Sequence, residues 1–276
     1  MIRIEQIDEV KKISMARYVF GLGAYFSACY WVDNLLIDTG CARTVNQLIP
    51  ALKDLPIELV VNTHSHEDHI GGNATLMKLY GITPLAHPLA LPIMANPRKK
   101  LGLYPHQRIM MGYPEPSKGH PIGETLTTSN HVFMIIHTPG HCRDHICLYE
   151  PSKKWLFCGD VYIGGRDKAL RYEYNIYEII ASLIRISHLN INCLFTGSGS
   201  VYQNPKDKIL RKINYLEETG EKILALNRQG LTYQQIRRRL FGREGRYTYL
   251  SFGHFSGKNL VRSYIVNNPV NNETIK

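Results

Sequence analysis

Long apolar runs are missing from this 276-residue chain. Although 44% of its residues are hydrophobic, no uninterrupted stretch approaches the length of a membrane span. That apolar content supports a sizeable core and excludes general disorder. Paired cysteines are missing too. The six cysteines, at 29, 41, 142, 147, 158 and 193, form no Cys-x-x-Cys pair and no dense framework, so buried, reduced thiols are expected. The opening MIRIEQIDEVKKI lacks the basic-then-apolar pattern of a signal peptide. Together these absences predict a cytoplasmic protein with no membrane partner. Acidic residues are in short supply, 23 against 33 Lys and Arg, for a net charge of +10. The excess permits an anionic partner such as nucleic acid or a phosphorylated substrate. Much of it sits late, in stretches such as QQIRRRLFGREGR.

What the chain does have is a dense segment at 62–72, NTHSHEDHIGG, in which five of the six residues from His64 to His69 are histidine or carboxylate. A solvated charged loop would normally use lysine and glutamate. The surroundings read as alternating elements. CYWV and LLIDTG flank an Asp33-Asn34 turn as a β-hairpin, and the second strand delivers Asp38 to a loop. A helix follows in ARTVNQLIPALKD, then a buried strand over 57–61 that runs into the histidine segment. NATLMKLYG reads as a helix ending at Gly81, and 83–87 as a further strand. Residues 92–130, rich in Pro, Gly and Lys, form a long excursion over the surface. HVFMIIHTPGH is a strand entering a glycine-histidine loop, and KWLFCGD a strand ending on Asp160. YEIIASLIRISHL is an amphipathic helix, and INCLFTGSGS a strand entering a glycine loop. Beyond about Pro205 the patterns turn helical, with Thr232 a cap, and the chain closes on a polar tail from 267. The predicted organisation is therefore a domain over 1–204 and a helical extension over 205–276.

Strand ends that converge on one sheet edge are where α/β proteins build sites. Such convergence makes neighbours of His64–His69, His141, Asp160 and the TGSG loop. Residues two apart in an extended segment point the same way, so His64 and His66 can face one ion. Asp68 and His69 then face a second position beside it. Imidazole and carboxylate suit zinc and related metals, while Gly71 and Gly72 allow tight backbone passage. With His141 as third ligand, the first ion keeps a position for water, as catalytic rather than structural zinc does. Asp160 could bridge that ion to one held by Asp68 and His69, and water between them could ionise near neutral pH.

HSHEDH, TPGH and CGD in this order resemble the metallo-beta-lactamase fold superfamily, whose signature is His-x-His-x-Asp-His followed by a distal His and Asp. The resemblance spans roughly residues 18–200. HTPGHCRDH is most similar to the glyoxalase II and beta-lactamase-like endoribonuclease branch. The resemblance implies an α/β fold, an αββα sandwich with a dinuclear site at one edge of its two sheets. It also implies a hydrolase whose metal-bound hydroxide cleaves an ester-type bond in a small thioester, lactone or related acyl substrate, with Asp68 orienting the water. RNA is an alternative partner, through a metal-dependent ribonuclease or phosphodiesterase. A non-catalytic, metal-bound ligand-binding protein is a third reading. Zinc is expected as one or two ions. The family's late histidine is replaced by Ser198, so the second site should be weaker and oxygen-rich, open to iron or manganese. His254 is a candidate replacement ligand. His145 is expected to support the site rather than ligate, Asp38 to support it or to be structural, and Tyr162 either to face substrate or to pack.

Overall fold

A computed structural model describes residues 2–19 and 22–269; most of the expected polar tail, 270–276, lies outside them. The chain divides into two compact units. The first comprises Met1–His137, Asp144–Ile163 and Asn190–Pro205, and the second Thr138–Arg143, Gly164–Leu189 and Lys206–Lys276. One break falls after Pro205, where the composition turns helical. Asn175 N–H donates to Gly140 O at 2.9 Å and Ser182 Oγ to Pro139 O at 2.8 Å, which joins Thr138–Arg143 to Gly164–Leu189, and Ile176 N–H on Ser263 Oγ at 3.0 Å joins the latter to the late helices.

The first unit is built on two sheets. One runs in the order β1 (Ile2–Ile7), β2 (Val10–Val19), β3 (Leu22–Val32), β4 (Leu35–Ile37), β5 (Leu59–Val61), β6 (Leu85–Ala86), β7 (His120–Pro121). The β1–β4 portion is an antiparallel meander, and β4–β7 are parallel. The β3–β4 turn falls at Asp33-Asn34 as expected, with Asp33 at φ +59°, a left-handed conformation that aspartate tolerates. The β1–β2 hairpin is not anticipated by the sequence. Its apolar residues are interleaved with charges, and Glu5 pairs with both Arg3 and Lys12 at 2.7 and 2.5 Å.

The second sheet contains β8 (Thr125–Thr127), β9 (Val132–His137), β10 (Ile146–Glu150), β11 (Trp155–Phe157), β12 (Cys193–Phe195) and β13 (Val201–Gln203). It is antiparallel except where β11 and β12 run side by side in parallel. Between the sheets lies one core. Tyr30, Leu35, Ile37 and Val61 enter it from the first sheet, and Phe133, Leu148, Phe157 and Phe195 from the second. Phe157 and Phe195 stack at 4.7 Å, and Tyr30 sets its edge against both. Each such ring removed from water contributes about 1.5–3 kcal/mol. On the other face of the first sheet, Ile13, Met15, Leu36 and Val60 pack with Leu48 and Leu52 of α1 (Val45–Leu52) and Leu76 of α2 (Asn73–Tyr80). The expected surface excursion holds short helices, among them Pro105–Met110.

The second unit is helical. Its main helices are α3 (Ile176–Ser187), α4 (Lys206–Arg228), α5 (Tyr233–Phe241) and α6 (Gly257–Val266). Thr232 caps α5 as predicted, in a reciprocal box with Gln235. Gly220 admits the buried Tyr264 ring, since a Cβ there would lie 2.7 Å from Tyr264 Cε1. No described helix is long and apolar enough to cross a membrane.

Candidate metal centre

Strand β5 ends at Val61 and the chain enters the histidine segment through Asn62, which is fully buried. Asn62 Nδ2 donates to His69 O at 2.9 Å, and Asn73 Nδ2 returns a bond to Asn62 Oδ1 at 2.8 Å. Thr39 Oγ1 donates to Asn73 Oδ1 at 2.8 Å, closing a polar network that cinches both ends of the loop. The paired glycines serve close backbone passage, as expected. Gly71 N–H donates to Gly40 O at 2.7 Å, and a Cβ on Gly71 would fall 2.3 Å from the Cys41 carbonyl carbon.

Asp38, itself in the left-handed region at φ +61°, organises the imidazoles. Its Oδ1 accepts from Thr63 N–H at 2.7 Å; its Oδ2 accepts from Thr63 Oγ1 and from His69 Nδ1, both at 2.8 Å. An ionised carboxylate only accepts, so His69 carries its proton on Nδ1. The Thr63 hydroxyl, having given its hydrogen to Asp38, can accept from His64 Nδ1 at 3.1 Å. In a neutral ring a proton held on Nδ1 puts the lone pair on Nε2, the state a metal ligand requires. His64 Nε2 lies 3.0 Å from His66 Nδ1, so these two side chains converge as their spacing predicts.

His69 Nε2 is the diagnostic atom. It is buried 3.2 Å from Asp68 Oδ2 and 3.7 Å from Asp160 Oδ2. Yet it makes no aligned hydrogen bond among the described residues. Burial alone would lower the pKa of this imidazole, but the carboxylates of Asp68, Asp38 and Asp160 raise it well above its ordinary value. The same negative potential favours any cation. His64, His69 and Asp160 bring one ligand atom each to within 4.8 Å of one another. A buried nitrogen lone pair facing two carboxylates fits a metal ion better than a proton shared out of line.

Asp160 is held from behind. Its N–H donates to His145 Nε2 at 3.0 Å. Burial pushes the His145 pKa down to about 3, so the ring stays neutral and accepts, a supporting role in keeping with expectation. The TGSG loop lies directly over Asp160. Gly197 N–H donates to Gly159 O at 2.7 Å, and a Cβ on Gly197 would stand 2.3 Å from Asp160 Oδ1 and 2.8 Å from His69 Cε1. Ser198 is exposed, and its hydroxyl shares a 3.0 Å hydrogen bond with Thr196 Oγ1.

His141 lies in the short connection from β9 to β10, within the second unit, buried with its Nε2 3.2 Å from the Tyr174 hydroxyl. His254, also of the second unit, faces Glu173, its Nε2 3.0 and 3.1 Å from the two carboxylate oxygens. Tyr162 is buried edge-on to Tyr202 at 5.7 Å, which favours its packing role. Two supports escape the sequence reading. Asp144 Oδ2 accepts from Ser65 N–H at 2.8 Å; its signal was a carboxylate inside HCRDH. Buried Glu67 accepts from Gln107 Nε2 at 2.7 Å, which ties the surface excursion to the histidine loop across 40 residues with no local signal.

The chain has recognisable relatives. The sequence profile described as the Metallo-beta-lactamase superfamily matches residues 22–197. A beta-lactamase-like protein 2 homolog of Drosophila melanogaster is 29% identical over 69% of this chain and 63% of its own length. An atrochrysone carboxyl ACP thioesterase of Aspergillus fumigatus is 25% identical over 75% and 58%. A hydroxyacylglutathione hydrolase of Legionella pneumophila is 32% identical over 62% and 59%. The matches thus span about three fifths of the length of these curated relatives. Among solved structures, a metallo-beta-lactamase family protein from Thermus thermophilus shares the fold at TM-score 0.68 and 17% identity, over 95% of this chain and 94% of that one. TTHA1623, solved in a di-iron-bound form, is 25% identical at TM-score 0.55 over 69% and 96%.

Proposed function

This chain belongs to the metallo-beta-lactamase superfamily, and from that premise we propose that it is a metal-dependent hydrolase of ester-type acyl bonds, with thioesters the first substrate class. The observation that carries the reading is His69 Nε2, a buried nitrogen set between Asp68 and Asp160 in a ring that Asp38 holds by its Nδ1. Relatives named as a thioesterase and as a hydroxyacylglutathione hydrolase support an acyl substrate.

In this reading His64, His66 and His141 would hold the first ion, and Asp68, His69 and Asp160 the second. The three-imidazole set suits zinc; the carboxylate-rich set also suits iron or manganese. Ser198, hydrogen-bonded to Thr196, makes the second set the weaker one. When bound, the metal supplies Lewis acidity and a water that ionises near neutral pH. Asp68 accepts a hydrogen bond from the attacking water and aims it at the acyl carbon. Asp38 and Thr63 keep the protons of His69 and His64 on Nδ1, away from the ligand atoms. His145 and Gly197 fix Asp160 from two sides. The cytoplasm is the proposed compartment, in keeping with six free thiols.

The test is elemental analysis of protein purified without chelator, beside Ser198→His, followed by turnover of thioester, lactone and phosphodiester panels. The expected result is firm retention of one ion, a second that rises in the variant, and thioester hydrolysis by the loaded protein. Protein that takes up no metal refutes the hydrolase reading. Loaded protein that cleaves only phosphodiesters supports the ribonuclease alternative, and no turnover at all supports the ligand-binding one.

A further inference from the structure

The second unit contains a cavity of about 1160 Å³ that shares no residue with the histidine-carboxylate cluster. Four stretches of chain line it: the segment at Tyr172, helix α5, the segment from Gly242 to Gly253, and helix α6. Its lining is strongly basic. Arg237, Arg238, Arg243, Lys258 and Arg262 contribute against a single carboxylate, Glu244. That carboxylate is already engaged, accepting from Thr248 Oγ1 and from Gly257 N–H, each at 3.0 Å.

Glu244 cannot neutralise the rest. Arg237 is buried, with its Nη1 on Gly242 O and its Nε 3.4 Å from Glu244 Oε1, yet that Nε makes no aligned hydrogen bond among the described residues. Arg238, Arg243 and Lys258 are exposed and make no ion pair or side-chain hydrogen bond among the described residues. Like charges gathered without counter-ions repel one another, and a multiply anionic ligand would relieve that repulsion. Aromatic faces adjoin the cations. The Arg262 guanidinium lies 3.9 Å from the centroid of the Tyr172 ring, and Tyr172 and Tyr249 are 54% and 72% exposed. Tyrosine and arginine planes are surfaces on which a nucleobase stacks. The volume far exceeds that of a lone phosphate and suits a ligand of nucleotide size.

We propose that this cavity binds a nucleoside phosphate, the phosphates against Arg238, Arg243 and Lys258 and the base against Tyr172 or Tyr249. All five cations and both exposed tyrosines line this one cavity, which favours a free nucleotide over a polymer. The inference goes beyond the hydrolytic reading and does not rest on it.

The test is calorimetric titration of the full chain with ADP, with adenosine, inorganic phosphate and a short single-stranded RNA as separate titrants. One ADP should bind per chain, and adenosine and phosphate should each bind at least about tenfold more weakly. The Arg238→Glu/Lys258→Glu double variant should weaken ADP binding by at least about tenfold while its melting temperature and metal content stay unchanged. If charge reversal lowers the melting temperature, Arg243→Ala, which removes one cation from the same wall, replaces it with the same expected direction. Failure of ADP to saturate below about 1 mM overturns the proposal. So does adenosine or phosphate binding as tightly as ADP, ADP binding untouched in the variant, or RNA binding that ADP does not displace.

Discussion

Replacing Asp38 with asparagine changes one oxygen to an amide nitrogen and should weaken the protein's hold on a metal ion that Asp38 itself would not touch. In the native arrangement Asp38 accepts three hydrogen bonds, from Thr63 N–H, Thr63 Oγ1 and His69 Nδ1. The asparagine oxygen can keep the first. Its amide then points two donors at two donors, and the flipped amide sets those donors against the Thr63 N–H instead. The cheapest relief is for His69 to accept on Nδ1 and carry its proton on Nε2, the atom facing Asp68 and Asp160. Loss of charge-assisted hydrogen bonds in a buried setting costs about 1.5–3 kcal/mol of stability. Loss of an outer support of this kind lowers metal affinity by about 10–100-fold, or roughly 1.4–2.7 kcal/mol. Asp38→Asn should therefore lose its weaker ion first in competition with a chromophoric chelator. Nitrogen NMR of the metal-free protein, recorded at a pH high enough for the ring to be neutral, should show His69 moved from the Nδ1–H to the Nε2–H tautomer. Native metal affinity with the tautomer unchanged would show that Asp38 is a structural carboxylate and that the reasoning is wrong.

Gly197→Ala should displace Asp160, because its Cβ would sit 2.3 Å from Asp160 Oδ1; metal content should fall toward one ion, and an unchanged content would refute the contact. Phe195→Ala should destabilise by about 3–5 kcal/mol, since it removes a ring stacked on Phe157 and flanked by Tyr30; denaturant unfolding measures it, and a loss near that of a surface change would mean the core had been misplaced. His254→Ala should alter the acid limb of stability. Burial works to raise the Glu173 carboxyl, but the hydrogen bond and charge of His254 outweigh it and hold the group below its ordinary 4.5. A lowered native value stabilises fully above 4.5 and is lost as pH falls through that native value. The stability gap between native and variant should then be full above pH 4.5 and close in acid, and a gap independent of pH would rule the linkage out.

Local signals had to be local to be read. The Asp33-Asn34 turn, the helix ending at Gly81, the Thr232 cap and the periodic α3 all depend on residues within a few positions of one another, and each appears where its pattern lies. The β1–β2 hairpin escaped because its charged alternation matches an exposed loop as well as an edge strand. Gly71 was legible as a site of close approach, but not that Cys41 is what approaches it. His254 fitted a ligand by type and by its glycine-rich loop; pairing with Glu173, 81 residues away, gives it other work.

The sequence by itself determined the candidate donor set. Imidazole and carboxylate types at spacings of two and four are written directly into HSHEDH, and their chemistry needs no fold to be recognised. Only the tertiary structure decided which nitrogen of His69 is free to ligate, because that depends on Asp38, 31 residues away and fixed by its own strand end. Likewise the order HCRDH contained Asp144, but its hold on Ser65 exists only once β9 and β10 have closed beside β5. A proton's position on a ring is set by the partner it meets across space, and contacts between distant segments arise only when burial of a common core brings their strands together.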